Sequence, residues 1–197
     1  MSTGRLEAFS DGVLAIIITV MVLELHVPEG PRLEDLAHSA TGFLTYLLSF
    51  VYIGIYWNNH HHMFQLVRRV DGIVLWANLH LLFWLSLFPF TTAWIDETHL
   101  ARTPLVVYGC NLLAAAIAYY VLQLAIFRAE GSDGMLREAL GRDLKGKISP
   151  GLYVAGIASA IWVSGELALA IYTVVAAIWL VPDRRLEGYV AAHGVTE

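Results

Sequence analysis

Gly12, Ile16, Thr19 and Leu23 follow one another at spacings of four, three and four. On a helix of about 3.6 residues per turn they share one stripe. In a lone helix that stripe is merely an apolar face. If several copies of the helix met on an axis, it would become a series of rings: bulky Ile16, hydroxyl-bearing Thr19 and bulky Leu23, with Glu24 near the outer end. Apolar rings can gate by dewetting, and a ring of hydroxyls can stand in for part of an ion's lost hydration. A second group of chemically capable residues is His60, His61 and His62, since imidazole is a common zinc ligand. Adjacent helical residues point about 100° apart, so three in a row are poorly arranged to share one ion. The run reads as polar anchoring at an interface, and no metal site is expected. The single cysteine, Cys110, lies in an apolar stretch with nothing nearby to activate a thiolate, and reads as a small buried residue and not a nucleophile.

The elements that must position these residues are membrane spans. Only 15% of the 197 residues are charged and 57% are hydrophobic, against about 25% charged in an average soluble domain; the mean hydropathy is +0.61. Between Asp35 and Arg68 lie 32 residues without Asp, Glu, Lys or Arg; between Asp71 and Asp96 lie 24, and between Arg102 and Arg128 lie 25. Each run exceeds the roughly 20 apolar residues that cross a bilayer as a helix. Twelve basic against 17 acidic residues give a net charge of -5, with no basic run able to track phosphates, so nucleic acid is not an expected partner.

Six helices are predicted, at about 5–27, 36–64, 73–95, 104–127, 150–163 and 167–181. Pro28 and Pro31 end the first, Pro104 sits in the first turn of the fourth, and Ser164-Gly165-Glu166 divides the long apolar stretch at the end. The last two are short, so some tilt or local thinning is implied. In helix 1 the uncharged centre, Gly12 to Leu23, covers 12 residues, about 18 Å against a hydrocarbon core of about 30 Å. Asp11 and Glu24 therefore lie at or near membrane depth and should face protein or water. With the N-terminus inside, Arg5, Arg68, Arg69, Arg128, Arg137, Arg142, Lys145, Lys147, Arg184 and Arg185 fall on the inner side, and only Arg32 and Arg102 outside. Cytoplasmic loops collect Lys and Arg in this way. Glu24, Glu29, Glu34, Asp35, Asp96, Glu97 and Glu166 gather outside, where an acidic mouth would concentrate cations. Trp57, Trp76, Trp94 and Trp179 read as an interfacial belt.

The segment from Arg5 to Val13, RLEAFSDGV, resembles the RxxxFSD signature that opens the first helix of the TMEM175 family of cation channels. Tyr56-Trp57-Asn58-Asn59-His60-His61 is similar to the end of that family's second helix, Trp76-Ala77-Asn78-Leu79 and Leu87-Phe88-Pro89-Phe90 to its third, and Tyr108-Gly109-Cys110-Asn111 to its fourth. The resemblance implies a potassium-permeable channel without the usual pore loop, and no TVGYG-like segment occurs in this sequence. It further implies a homotetramer around helix 1, with the constriction on Ile16, the selectivity-shaping hydroxyl on Thr19, and further lining from Val20 and Leu23. That assignment falls on the stripe found from spacing.

Polar groups at a membrane boundary need partners. Arg5, Ser10 and Asp11, beside Phe9 in the motif, are expected to bond Asn58 and His61 on helix 2 and Asn78 and His80 on helix 3, fixing the tilt of helix 1 without touching ions. The expectation is an all-α, six-span homotetramer in the cell (plasma) membrane, both termini cytoplasmic, passing potassium and similar monovalent cations, with Glu24 part of an outer cation funnel. No cofactor beyond the permeant potassium is expected; the partners are further copies of the chain, the bilayer and the cations. Proton permeation through the same architecture is the rival within transport. An intramembrane enzyme built on His60, His61, His80 and Asp11 is the rival from another class, and it lacks a nucleophile or an HExxH-type spacing.

Overall fold

Capping groups and prolines set the helix boundaries. The computed structural model describes residues 2–28, 30–131, 136 and 144–180, and every regular element among them is helical. They are α1 (Thr3–Leu23), α2 (Leu33–His38), α3 (Ala40–Gln65), α4 (Gly72–Ser86), α5 (Phe88–Glu97), α6 (Arg102–Glu130), α7 (Leu144–Trp162) and α8 (Gly165–Leu180). Four helical stretches among the described residues are long and apolar enough to cross a membrane: Thr3–Leu23, Ala40–Gln65, Gly72–Glu97 taken through its break, and Arg102–Glu130. The 16-residue α8 is apolar but shorter.

Several boundaries differ from the sequence expectation. Helix 1 stops at Leu23 and not near 27. Pro28 disfavours the α conformation at Val27, and His26 is held instead beside Asp96 at the far end of α5 (Nδ1 to Oδ2 3.3 Å). The second span begins at Ala40, not 36, because the short α2 precedes it and the chain turns at Ser39; the Arg32 N–H donates to the Asp35 carboxylate (2.9 Å) at the start of α2. The third span is not continuous over 73–95. It breaks at Leu87, where Pro89 has no N–H to give to the Leu85 carbonyl. Its start is fixed by Asp71, whose carboxylate accepts from the Val74 N–H (2.9 Å). The fourth is longer than 104–127 at both ends, since neither flank carries a breaker before Ala101 and Gly131. The fifth begins at Leu144 and carries Pro150 inside it, not at its start. The sixth begins at Gly165, where the Ser164 hydroxyl accepts from the Leu167 N–H (3.2 Å). Its expected end at Val181, and Glu29, Arg137, Arg142, Arg184 and Arg185, lie outside the described residues.

Helix α1 packs against α3, α4 and α5, while α6 packs on α4 and α5 and receives α7; the α7–α8 pair closes the other side against α6 and α3. The helices are apolar on all sides, so polar ties and small residues fix the register in place of amphipathic faces. Ser49 Oγ lies 2.7 Å from Thr92 Oγ1 and 3.0 Å from Tyr108 Oη, joining α3, α5 and α6. The Tyr52 hydroxyl donates to the Tyr172 carbonyl (2.6 Å), joining α3 to α8, and the Tyr172 hydroxyl donates to the Leu105 carbonyl (3.3 Å) of α6. Tyr172 reaches that position because Gly109 of α6 and Gly156 of α7 have no side chains; a Cβ at either would strike its ring or hydroxyl. Cys110, expected to be buried, is exposed. Its neighbours Tyr108, Gly109, Asn111 and Leu112 fill the inward face of α6 and turn it outward.

Candidate functional site

Helix α1 divides cleanly into two faces. Leu6, Ser10, Leu14, Ile17 and Met21 are buried against the body of the chain. On the opposite side Arg5, Phe9, Gly12, Ile16, Thr19, Val20 and Leu23 are exposed, Ile16 by 63% and Leu23 by 81%, whereas the adjacent Ile17 is only 5% exposed. At about 100° per residue, Gly12, Ile16, Thr19 and Leu23 span about 60° of the circumference. The sequence-derived stripe is thus the face of α1 that its own chain leaves uncovered.

The Thr19 hydroxyl donates to the Ile16 carbonyl (2.8 Å). Its only proton is thereby used within the helix, so the oxygen presents lone pairs at the exposed face, flanked one turn to either side by Ile16 and Leu23. Beside the stripe, a groove of about 760 Å³ runs between α1 and α5, with Ile16, Val20 and Glu24 on one wall and Phe90, Trp94 and Glu97 on the other. Glu24, the C-cap of α1, is exposed at the end of this groove. With Glu97, and with Asp96 held beside His26, it gives this end of the molecule its acidic character.

At the other end, side chains from α3 and α4 hold α1. The buried Asn78 is the centre: its Nδ2 donates to Ser10 Oγ (3.0 Å) and its Oδ1 lies 2.8 Å from His60 Nε2. Ser10 Oγ in turn donates to the Leu6 carbonyl (2.9 Å). All three side chains are essentially inaccessible. At the edge of this chain of bonds the Trp57 Nε1–H donates to Asp11 Oδ1 (3.0 Å), and Glu7 Oε1 meets His61 Nδ1 at 2.6 Å, with Gln65 bonded to the other ring nitrogen (3.0 Å). The helix is therefore gripped at Glu7, Ser10 and Asp11, within about one turn.

Of the residues expected in this network, Ser10, Asp11, His61 and Asn78 take part. His80 does not: it faces outward and accepts from the Trp84 Nε1–H four residues along its own helix (2.9 Å). Two residues beyond Asn78 on a helix, it points to the opposite side. Arg5 is exposed and Asn58 half-buried, and among the described residues neither side chain has a hydrogen bond or ion pair to the network. Phe9 is 50% exposed, on the uncovered face of α1. Sequence reasoning missed His60, Trp57 and Glu7. A signal for His60 existed: Ser49, Tyr52, Tyr56, His60 and Met63 follow one helical face, all buried, which singles out the first of the three histidines as the inward one. The histidines also diverge as expected from their angular spacing, His60 stacking on Phe64 and His61 on Trp57. The grouping of His60, His61, His80 and Asp11 needed for an enzyme is not formed, because His80 faces away from the other three.

The model of the family described as "Endosomal/lysosomal potassium channel TMEM175" matches residues 5–89, which contain α1 through the start of α5. A protein named as a potassium channel from Chryseobacterium sp. (strain P1-3) is 54% identical over 187 residues, covering 95% of this chain and 97% of that protein. The crystal structure of a lysosomal potassium-selective channel TMEM175 homolog from Chamaesiphon minutus superposes with a TM-score of 0.73 at 34% identity, covering 91% of this chain and 96% of that one. The endosomal/lysosomal proton channel TMEM175 of Homo sapiens is 40% identical over 81 residues, 35% of this chain and 16% of that protein. These relatives are ion channels and not enzymes. Near-full-length identity, a shared fold and the matching signature segment together show that this chain belongs to the TMEM175 family.

Proposed function

We propose that the chain is a potassium-permeable channel, passing K⁺ and similar monovalent cations passively through a pore lined by α1 from several copies, four in our reading. The observation that carries this is the uncovered stripe of α1. A lipid-facing helix has no use for a threonine whose lone pairs point outward between two bulky aliphatics, whereas a pore does. In the assembled channel Ile16 forms the hydrophobic constriction, Thr19 shapes selectivity, Val20 and Leu23 complete the lining, and Glu24 with Glu97 draws cations to the outer mouth. Discrimination among monovalent cations is modest, since a few hydroxyls and aliphatic walls replace a hydration shell less completely than stacked carbonyl rings.

The names of the bacterial relatives and of the superposed structure support the ion. The bias of basic residues supports both termini lying inside a cell membrane crossed six times, with α7 and α8 as the shorter spans. The Glu7, Ser10 and Asp11 contacts set the tilt of α1 and do not touch ions. The name of the human relative favours a second reading, proton permeation through the same pore. Substituted cysteines test the lining: in a Cys110→Ser background, Leu23→Cys is expected to lose potassium efflux from liposomes on treatment with a cationic thiol reagent, whereas Met21→Cys, on the buried face, is not. Equal sensitivity at both positions, or none at Leu23, contradicts a pore on this stripe.

A further inference from the structure

The stripe of α1 continues past Gly12 to the first turn of the helix. Counted back from Ile16 at about 100° per residue, Phe9 and Arg5 each return to within about 20° of its azimuth, with Arg5 about 16 Å away along the axis. Both are exposed, and Arg5 has no hydrogen bond or ion pair among the described residues. The two acids at this end of α1 are placed differently. Glu7 lies about 180° from Ile16 and Asp11 about 140°. Both are half-buried and engaged from α3, Glu7 Oε1 with His61 Nδ1 (2.6 Å) and Asp11 Oδ1 with the Trp57 Nε1–H (3.0 Å). The fold thus turns the acids of α1 toward the body of the chain and leaves its one basic side chain on the uncovered face. At the opposite end the sign is reversed, since Glu24 is exposed and shares its groove with Glu97. The dipole of α1 has the same sense, positive at its Thr3 end.

We propose that Arg5, repeated in each copy, forms a positive ring on the conduction path and makes the channel rectify: cations enter less readily at the Arg5 end than at the Glu24 end. The inference rests on the pore reading of the α1 stripe. A guanidinium keeps its charge throughout the physiological pH range, so the ring is a fixed barrier and not a pH switch. Charge of one sign lining a cleft changes the local ion concentration by about tenfold or more. A positive ring depletes potassium at the mouth that feeds the Ile16 constriction, while Glu24 and Glu97 enrich it at the other. Salt sets the reach of this effect. The Debye length is about 30 Å at about 0.01 M, longer than the path from Arg5 to Ile16, and about 3 Å at about 1 M, much shorter than it. Arg5 therefore governs the direction of easy flow, whereas Thr19 governs the choice among cations.

The test records currents in excised patches from cells expressing the full chain, where all copies are oriented alike, with equal potassium chloride on both sides. At about 10 mM salt the current entering at the Arg5 end is expected to be about two-fold below that entering at the Glu24 end, and at about 1 M the difference disappears. Arg5→Gln removes most of the low-salt asymmetry, and Arg5→Lys retains it. In a Cys110→Ser background, Arg5→Cys separates charge from shape in channels already assembled. A methanethiosulfonate carrying trimethylammonium restores the asymmetry, and one carrying sulfonate raises entry at that end above the Arg5→Gln level. The side from which the reagents act identifies the Arg5 end. Low-salt curves unchanged in Arg5→Gln, or equal effects of the two reagents, as a steric role or a tie between copies would give, overturn the inference. The block at Leu23→Cys then leaves the pore reading standing. A parent without cation current overturns both.

Discussion

Asn78 is the residue whose loss the contacts price most directly. It is fully buried and bonds both Ser10 on α1 and His60 on α3. Leucine has nearly the same size and can make neither bond. In Asn78→Leu the His60 ring loses its one partner, because its Nδ1 has none among the described residues; a buried orphan of this kind costs about 1–3 kcal/mol. Ser10 loses less, since its hydroxyl still donates to the Leu6 carbonyl, leaving about 0.6 kcal/mol for an interhelical bond within a membrane. The expected loss is therefore roughly 2–4 kcal/mol. The assay is reversible unfolding of the purified chain by SDS titration in mixed micelles, run on Asn78→Leu, Ser10→Ala and the double variant. Once Asn78 is gone, the Ser10→Ala change should lose most of its effect, giving a coupling of about 0.5–1 kcal/mol. An Asn78→Leu variant within about 0.5 kcal/mol of the parent, or strictly additive single effects, refutes the idea that this chain of bonds holds the pore helix.

Ile16→Asn should raise the potassium leak of reconstituted protein with little loss of fold, because Ile16 is exposed within its own chain, while Ile17→Asn should reduce the yield of folded protein; flux and size-exclusion profiles read the contrast, and equal behaviour contradicts the two-faced helix. Thr19→Val is expected to lower the potassium over sodium permeability ratio and Thr19→Ser to preserve it, since only serine keeps the outward lone pairs; a ratio unchanged in the valine variant removes Thr19 from selectivity. Asp11→Asn weakens and Trp57→Phe removes the bond from the Trp57 indole to the Asp11 carboxylate, so both should lower assembly or conductance in parallel, and unaltered assembly and conductance in both would discard a role for that contact. Gly109→Ala drives a methyl into the Tyr172 hydroxyl and should destabilise the packing of α6 on α8 by about 1–3 kcal/mol, read by the same SDS titration.

Spacing alone made the α1 stripe legible, because the outward face combines small, bulky and hydroxyl residues in a pattern that lipid does not require. The opposite face was not legible that way. In a chain whose spans are apolar all round, Leu14 and Ala15 are equally acceptable to lipid and to core, and only packing decides that the first is buried and the second exposed. The anchoring network was half readable: polar residues near span ends had to find partners, which brought Ser10, Asp11, His61 and Asn78 forward, yet whether His60 or His61 meets Asn78 depends on the rotation of α3. His80 failed for the same reason, since a local acceptor role toward Trp84 competes with any partner on α1. The break at Leu87 was signalled by Pro89, but a proline two residues into a second helix and one inside a kinked span look alike until the packing is seen to change, from α4 on α1 and α6 to α5, which adds α3 to those two.

The most direct test of the channel reading is the reversal potential of the purified chain in a planar bilayer, first under a potassium gradient and then with potassium on one side and sodium on the other. A potential that moves toward the potassium equilibrium value, with a modest further shift under the bi-ionic condition, is the predicted result. Intact protein that carries no cation current, or whose reversal potential follows only an imposed proton gradient, contradicts it.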